Sequence, residues 1–412
     1  MTERLTTKWI AACGLAALTA GGCASRHDDA WLTELRMREA AARPLRDIGS
    51  TDGAFASRVP AEMRGSIETG EEADYIALDI GGETPVECAL YHDEVESAST
   101  VQTLAAQVFA GLEKRHGTVI ERTPGEIDAG VVAGSPFLRV SWTYRTTGEQ
   151  AEVVGQLKQM IATREGRSVY CVHHENGYAK SFENLFRELV SHVRFSSYDD
   201  LRPYFTQIDI LSTDGERFGF ATVSLTLDED GEPRVVRYTT QLARTAEGGL
   251  TARDVTEVEH SSLQGAVRGQ VFTDFRDGEV SSSLVLEDLA GVGWQVRGQR
   301  GGANLRAIFE QPDLSSWLGD ARTLGGLVAA GDGQSLASTR IWDPDFDAEA
   351  SVERRYQLRA PLQAQLWEVS AVTGDRQAWL AVDGDGLIQA MKAVENDRTV
   401  LRERVFVEGA LR

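Results

Sequence analysis

Apolar positions from residue 55 to residue 197 follow first a period of two and then a helical period. VECALYH places Val86, Cys88 and Leu90 on one side of the backbone, as in a strand. Two helices are predicted by apolar residues at helical spacing, with the members Val101, Leu104, Ala105, Val108, Phe109 and Leu112 in one and Phe182, Leu185, Phe186, Leu189, Val190 and Val193 in the other. Further strands are predicted between them, at residues 117–122, 130–132, 137–144, 153–163 and 168–174. This order predicts an α+β unit in which helices cover an antiparallel sheet.

From residue 198 to residue 412 the pattern is that of successive hairpins. Alternating segments turn at DEDG, at Asp277-Gly278 and at residues 383–386, and one short helical stretch at residues 314–327 interrupts them. These hairpins predict a large β-rich antiparallel domain, either a half-barrel or a sandwich. Their succession resembles the half-barrels of LolA-like bacterial lipoprotein carriers. The predicted fold class of the whole chain is therefore α+β, with a β-rich second domain.

The end of the first domain carries a second resemblance. GQLKQMIATREGRSVYCVHHENGY followed by SFENLFRELVSHVRF reads as a long hairpin, a helix and a short aromatic strand. In this order the segment resembles the PsbP-like family, and the resemblance extends over residues 55–197. It implies a domain that binds or assembles with other molecules and does not catalyse a reaction.

The first 22 residues predict a signal peptide. Arg4 and Lys8 precede an apolar run from Trp9 to Gly22, which is shorter than the roughly 20 residues that cross a bilayer. The sequence AGGC that ends at Cys23 resembles the lipobox of bacterial lipoproteins. This resemblance implies cleavage before Cys23 and acyl chains on Cys23, and residues 23–54 are then a tether with a short helix. The alternative is an ordinary signal peptide followed by an incidental cysteine.

The lipobox resemblance also implies a location in the cell envelope, facing the periplasm. Ala24 stands where some bacteria use aspartate to retain a lipoprotein in the inner membrane, so the outer membrane is preferred. The chain has 42 Lys and Arg against 63 Asp and Glu, a formal net charge of −21. Such an acidic surface repels phosphate-rich partners. We therefore expect no nucleic-acid partner and a membrane attachment through the lipid anchor alone.

Two segments, CALYHDE and YCVHHENG, contain residue types that bind metals. Cys88 and His92 share one face of a predicted strand, and Cys171 and His173 share one face of another, which together would suit a tetrahedral zinc site. The signal peptide, however, predicts an oxidising compartment, in which Cys88 and Cys171 would form a disulfide. Two buried free thiols are the third alternative. We favour the disulfide and expect neither a metal nor a cofactor.

Signatures of common enzyme classes are not found in the sequence, which has no GxSxG, HExxH or phosphate-binding loop. DPDFDAE spaces Asp343, Asp345 and Asp347 as a calcium loop does, but Ala348 occupies a position where that loop needs glycine. A solvated acidic loop is the preferred interpretation. No catalytic residue is assigned.

Five of the eight tryptophans lie in the second domain, where core packing is favoured over the lining of a pocket; they are Trp294, Trp317, Trp342, Trp367 and Trp379. The sequence therefore predicts a non-catalytic binding or assembly module of the cell envelope, whose partner is an apolar ligand or an envelope protein. The alternative is a hydrolase that acts on envelope polysaccharide through an unassigned pair of carboxylates.

Overall fold

The fold is given by a computed structural model, which describes residues 45–50, 53–116, 119–147, 153–164, 166–195, 203–290, 292–310, 313–331, 335–363, 365–395 and 398–411. The predicted signal peptide, Cys23 and the predicted helix of the tether lie outside these residues. The chain divides into two compact units, Met1–Asp200 with Ala243–Thr251 and Leu201–Leu242 with Ala252–Arg412. They are called the first and the second unit.

The described residues of the first unit form two antiparallel sheets and two helices. The strands are β1 (Leu45–Gly49), β2 (Phe55–Pro60), β3 (Gly65–Thr69), β4 (Ala73–Leu78), β5 (Val86–Tyr91), β6 (Val119–Val132), β7 (Ser135–Thr147), β8 (Val153–Arg164), β9 (Arg167–His173) and β10 (Arg194–Phe195). The helices are α1 (Ser97–His116) and α2 (Ala179–His192). The smaller sheet has the strand order β1-β2-β10, and the larger has the order β3-β4-β5-β9-β8-β7-β6.

The two helices pack on opposite faces of the larger sheet. The ring of Phe109 on α1 meets that of Trp142 on β7 edge to face, with 5.8 Å between the centroids. Phe186 on α2 meets Phe137 on the same strand at 6.5 Å. Since residues 137 and 142 differ by an odd number along one strand, their side chains point to opposite sides of the sheet. Buried Gln159 accepts from the indole of Trp142 at 3.1 Å and so satisfies a polar group beneath α1.

The second unit is built on one antiparallel sheet with a single helix among its described residues. Its strands are β11 (Phe205–Thr213), β12 (Glu216–Leu227), β13 (Pro233–Arg244), β14 (Leu250–Ser261), β15 (Val267–Arg276), β16 (Glu279–Asp288), β17 (Trp294–Arg300), β18 (Ala303–Phe309), β19 (Leu336–Ile341), β20 (Val352–Gln363), β21 (Leu366–Thr373), β22 (Arg376–Asp383), β23 (Ile388–Glu395) and β24 (Arg398–Gly409). The helix is α3 (Trp317–Ala330). The strand order is β18-β17-β16-β15-β14-β13-β12-β11-β24-β23-β22-β21-β20-β19.

Neighbours in this sheet are mostly neighbours in sequence, because tight turns return each strand beside the last. The predicted turn at Asp277-Gly278 has φ values of 51° and 85°. This left-handed pair matches the right-handed twist of a two-residue hairpin, which explains the Asp-Gly sequence at this position.

One face of the 14-stranded sheet carries most of the apolar core of the second unit and is called the inner face. Three clusters of buried side chains lie on it, with Val255, Phe272, Leu284, Leu286 and Val296 in the first, Phe205, Val223, Leu225 and Val235 in the second, and Tyr356, Leu358, Val369, Leu380 and Val382 in the third. Leu324, Leu327 and Val328 of α3 pack on the third cluster. The helix therefore covers one part of this face.

The predicted α+β fold class is wrong. Among the residues that the structure describes, 62% lie in strands and 14% in helices, so the fold is mostly β. The helices lie where their apolar spacing predicts them, but β1, β2, β3 and β4 were not predicted. β1 lies within the predicted tether of residues 23–54 and pairs with β2 instead. The hairpins of the second unit form one continuous sheet of 14 strands. Strands therefore make up a larger share of the chain than the α+β prediction allowed. No described helix combines the length and the apolar composition needed to cross a membrane.

Candidate functional site

The cysteines of CALYHDE and YCVHHENG form a disulfide, which confirms the favoured prediction. Cys88 on β5 and Cys171 on β9 are direct partners in the antiparallel register. Their sulfur atoms are bonded, and their Cα atoms lie 4.0 Å apart. Both residues are buried in the core that α2 covers. A bonded pair has no thiolate to offer to a metal.

The histidines of the zinc alternative are not brought together. The register pairs residue 90 with 169 and residue 87 with 172, so His92 and His173 lie at opposite ends of the strand pair. His92 Nε2 lies 3.4 Å from Asp74 Oδ2 instead. Within the described stretches, no group of three or more His, Cys, Asp or Glu side chains is arranged to hold a metal ion.

His173 is an aromatic part of the core. It is fully buried, stacks on Phe182 with 6.2 Å between ring centroids, and meets Tyr178 edge to face at 5.9 Å. Its Nε2 lies 3.8 Å from Glu175 Oε2. Burial, followed by the positive charge of Lys158, lowers the pKa of His173 to about 3. The side chain is therefore neutral at ordinary pH.

The rest of YCVHHENG is a loop that Lys158 and Glu175 hold in place. The ammonium group of buried Lys158 donates to the backbone carbonyls of Glu175 and Gly177, the latter at 2.6 Å. Oε2 of Glu175 accepts from the amides of Glu83 at 2.8 Å and Thr84 at 3.1 Å. These contacts join two loops at one end of the sheet and give the cluster a structural role.

A different group of charged residues lies on the inner face of the second unit. This Glu259 cluster consists of Arg237 on β13, Glu257 and Glu259 on β14, Asp320 on α3 and Arg354 on β20. Glu257 and Glu259 share the face of Val255, which belongs to the apolar core, because side chains alternate along a strand. Charged groups thus lie beside apolar side chains on this face, as buried Asp274 does opposite Val255.

Two of the three carboxylates of the cluster are paired with arginine. Glu257 accepts from the guanidinium of Arg237 and from Gln270 Nε2 at 3.0 Å. Asp320 Oδ2 accepts from Arg354 Nη1 at 3.0 Å. The second pair links α3 to the sheet on which it packs, whereas the first joins the neighbouring strands β13 and β14.

Glu259 has a different partner. Its Oε1 accepts the backbone amide of Trp317, the first residue of α3, at 3.0 Å. Only 2% of the residue is exposed. Burial raises the pKa of Glu259 to about 7, and this effect outweighs the attraction of Arg237 and the hydrogen bond from Trp317. Near neutral pH a large fraction of Glu259 therefore holds a proton.

The two arginines of the cluster are surrounded by protein, but part of each side chain remains accessible to solvent. Burial is the largest influence on the pKa of Arg237 and of Arg354, and nearby acids outweigh it and raise both values. Nevertheless 31% and 30% of their side-chain surfaces are accessible. Apolar side chains that are only partly buried lie on the same face; they are Leu305, Phe309, Trp367, Ile388 and Met391. The inner face thus offers both charged and apolar groups to solvent.

The acidic loop DPDFDAE is held by hydrogen bonds within the second unit. Both carboxylate oxygens of Asp345 accept from Arg253 Nη2, at 2.7 and 2.8 Å. Asp343 Oδ1 accepts the amide of Asp345 at 3.1 Å, and the indole of Trp342 donates to the carbonyl of Ala348 at 3.1 Å. Asp345 is therefore engaged by an arginine.

The tryptophans of the second unit divide between core and surface. Trp294 and Trp342 are buried in the core, as predicted. Trp317 and Trp367 are partly buried beside the apolar clusters. Trp379 is 38% exposed. Its register partner is Ser370, so it lies on the outer face, whereas Trp367 shares the inner face with Val369.

No residue of the Glu259 cluster was singled out from the sequence. The signal was present in TARDVTEVEHS, where Val255, Glu257 and Glu259 occupy alternate positions of one predicted strand. Acids at apolar-face positions of a strand either lie on a solvated face or are buried with partners. Only the register of β14 with β15 and the position of α3 show that Glu259 is buried.

No protein-family model matches the chain, and no curated protein sequence matches it. Solved structures similar to it include a beta-barrel-like protein of a domain of unknown function, DUF1849, from Brucella abortus, at 13% identity over 50% of this chain and 97% of that chain, with a TM-score of 0.39. A DUF1089 family protein from Pseudomonas aeruginosa is 20% identical over 41% of this chain and 87% of that chain, with a TM-score of 0.25. Cyanobacterial PsbP from Synechocystis sp. PCC 6803 is 10% identical over 37% and 92%, also with a TM-score of 0.25. All three TM-scores lie below 0.5, so these similarities carry no argument about the fold family or the function of this chain.

Proposed function

We propose that this protein is a lipid-anchored, non-catalytic binding module of the bacterial cell envelope, and that its inner face binds an apolar ligand with a polar end. Cys23 would carry the anchor, and the protein would face the periplasm, preferably from the outer membrane. The Cys88–Cys171 disulfide supports export, because such bonds form and persist in oxidising compartments.

The observation that carries the proposal is the composition of the accessible part of the inner face. Partly buried Trp367, Ile388 and Met391 lie on the margin of an apolar cluster, and accessible Arg237 and Arg354 lie on the same face. Ligand sites are mostly apolar, with a few polar groups that fix the orientation of the ligand. An amphiphilic molecule matches this combination.

The pairing of three acids with arginines supports a non-catalytic role. Glu257 and Asp320 are paired with arginines, and Asp345 is paired with Arg253. A two-carboxylate hydrolase needs one carboxylate free to act on water or substrate. Arginine pairing holds these three carboxylates in place.

Two tryptophans in the same sheet provide a matched test. The full chain is made with Cys23→Ser, so that it is not acylated and needs no detergent, and is titrated with a fatty acid that carries an environment-sensitive fluorophore. Trp367→Ala on the inner face should weaken binding by about tenfold or more, because it removes a large apolar contact. Trp379→Ala on the outer face should leave affinity unchanged within about twofold. Equal affinity of the two variants, or no binding by the parent chain, would contradict the proposal.

A second candidate is the hydrolase of envelope polysaccharide. Glu257 and Glu259 share one face of β14, and Glu259 has a pKa of about 7, as a general acid requires. Release of soluble fragments from purified cell-wall polysaccharide by the parent chain, lost in Glu259→Gln, would establish this function. Glu287→Gln, at an exposed ion pair with Arg297, serves as the control.

A further inference from the structure

Helix α3 begins on a buried carboxyl group. Ser316 caps the helix by accepting the amide of Gly319 on its hydroxyl at 3.1 Å. The amide of Trp317 is satisfied by Glu259 Oε1, a residue 58 positions earlier on β14. The first turn of α3 is thus bonded to its own N-cap residue, Ser316, and to Glu259 of the sheet.

Charged groups from three elements face Glu259. Arg237 on β13 attracts its negative form, while Glu257 on β14 and Asp320 on α3 repel it. Arg237 is already bonded to Glu257, and Asp320 is bonded to Arg354. A proton on Glu259 therefore removes a buried negative charge that lies beside two others.

We propose that the protonation state of Glu259 sets how tightly α3 is held on the inner face, so that mildly acidic conditions fasten the helix and mildly alkaline conditions loosen it.

The direction follows from burial. A carboxyl group in water loses its proton near pH 4.5, whereas burial keeps the proton on Glu259 up to a pKa of about 7. If opening of α3 exposes Glu259, the open state loses the proton between these two values while the closed state keeps it. The closed state is then favoured most at or below pH 4.5, and the advantage is lost as pH rises to 7. Ionised Glu259 accepts more strongly from the Trp317 amide, but the cost of burying its charge is larger.

The inference concerns the face that the proposed function assigns to a ligand, and so it describes regulation of that site. Its test uses no ligand. A failure to bind fatty acid would therefore leave the result of this test unaffected, and the reverse also holds.

Hydrogen exchange of the full chain at pH 5.0 and 7.5 tests the proposal, after correction for the intrinsic exchange rate at each pH. Protection of the amides of Leu324, Leu327 and Val328 should fall by about 50-fold at the higher pH. Glu259→Gln keeps the acceptor oxygen but cannot ionise, so its protection should change by less than about threefold. Glu287→Gln on β16, which is paired with Arg297 at the surface, should keep the full pH dependence.

Two results would overturn the proposal: protection of α3 that does not fall with pH in the parent chain, or a fall that persists in Glu259→Gln. Glu257→Gln provides a second variant that does not alter Glu259 itself. It removes one repelling charge and frees Arg237, so the midpoint of the protection profile should move to lower pH. An unmoved midpoint would also count against the proposal.

Discussion

Cys88 and Cys171 are direct cross-strand partners whose disulfide lies in the core between the larger sheet of the first unit and α2. The bond closes a loop of 83 residues in sequence separation. It also joins two strands that hydrogen bonds already pair, so it fixes their register.

Removal of the disulfide should destabilise the first unit. In the chain-entropy model, a closed loop of this length contributes about 4 kcal/mol. The double substitution Cys88→Ala and Cys171→Ala should therefore lower the free energy of unfolding by about 4 kcal/mol, read from urea denaturation with a probe in the first unit. A loss below about 1 kcal/mol would show that the bond contributes little beyond the strand pairing.

Acid should destabilise the first unit through His173. Its pKa is about 3 in the folded state and about 6.5 in an unfolded chain. Between pH 6.5 and 3, His173 is therefore protonated in the unfolded state but neutral in the folded state. The free energy of unfolding falls as pH falls through this window. His173→Phe should remove about 3 kcal/mol of this pH dependence between pH 6.5 and pH 4. Unfolding midpoints from pH 7.5 to 4 measure it, with half-exposed His192→Gln as a control that should follow the parent chain.

Loss of the Lys158 ammonium should release the loop of residues 174–178. Lys158→Met leaves the carbonyls of Glu175 and Gly177 without this donor in a buried position. Each unsatisfied carbonyl costs about 1–3 kcal/mol. We expect faster proteolysis within the loop and a loss of at least about 2 kcal/mol of stability. Lys180→Met, at an exposed ion pair with Glu183, should change neither.

Gly386 should be sensitive to any side chain because of its contact with α3. Its φ is +81°, and an added Cβ would lie 1.9 Å from the carbonyl oxygen of Ala321. Gly231 has nearly the same φ, +77°, but nothing lies within 4 Å of its added Cβ. Alanine at either position costs about 1–2 kcal/mol for the left-handed backbone.

Gly386→Ala should cost about 1–3 kcal/mol more than Gly231→Ala, because the backbone of α3 must also move away. Thermal unfolding of the two variants measures the difference. Equal destabilisation would show that α3 is not closely packed at Gly386.

The sequence predicted the parts of the fold that depend on local pattern. The helical spacing of Phe109 and its neighbours located α1, and that of Phe182 and its neighbours located α2. By contrast, β3 was missed because all five residues of GSIET are exposed, which leaves no apolar face to recognise. The fold class was wrong because the pattern of the first unit was given too much weight against the long run of hairpins.

The chemistry of the chain was harder to predict, because it depends on which distant residues meet. The pairing of Cys88 with Cys171 could be favoured, since the two cysteines stood on predicted strands of one domain. The selection of Glu259 among 63 acids could not be made. Its burial depends on the register of β14 with β15 and on the packing of α3 against the sheet. Both are contacts between distant segments, so the pattern of one segment does not predict them.

Native mass spectrometry of the full chain, extracted from the envelope of a Gram-negative host, tests the lipid anchor and the bound ligand in one experiment. We predict a mass that corresponds to the chain from Cys23 with covalent acyl groups, together with a non-covalent lipid adduct that Trp367→Ala removes and Trp379→Ala retains. A chain without acyl groups and without an adduct would contradict both the anchor and the ligand. An acylated chain that never carries an adduct would contradict the ligand alone.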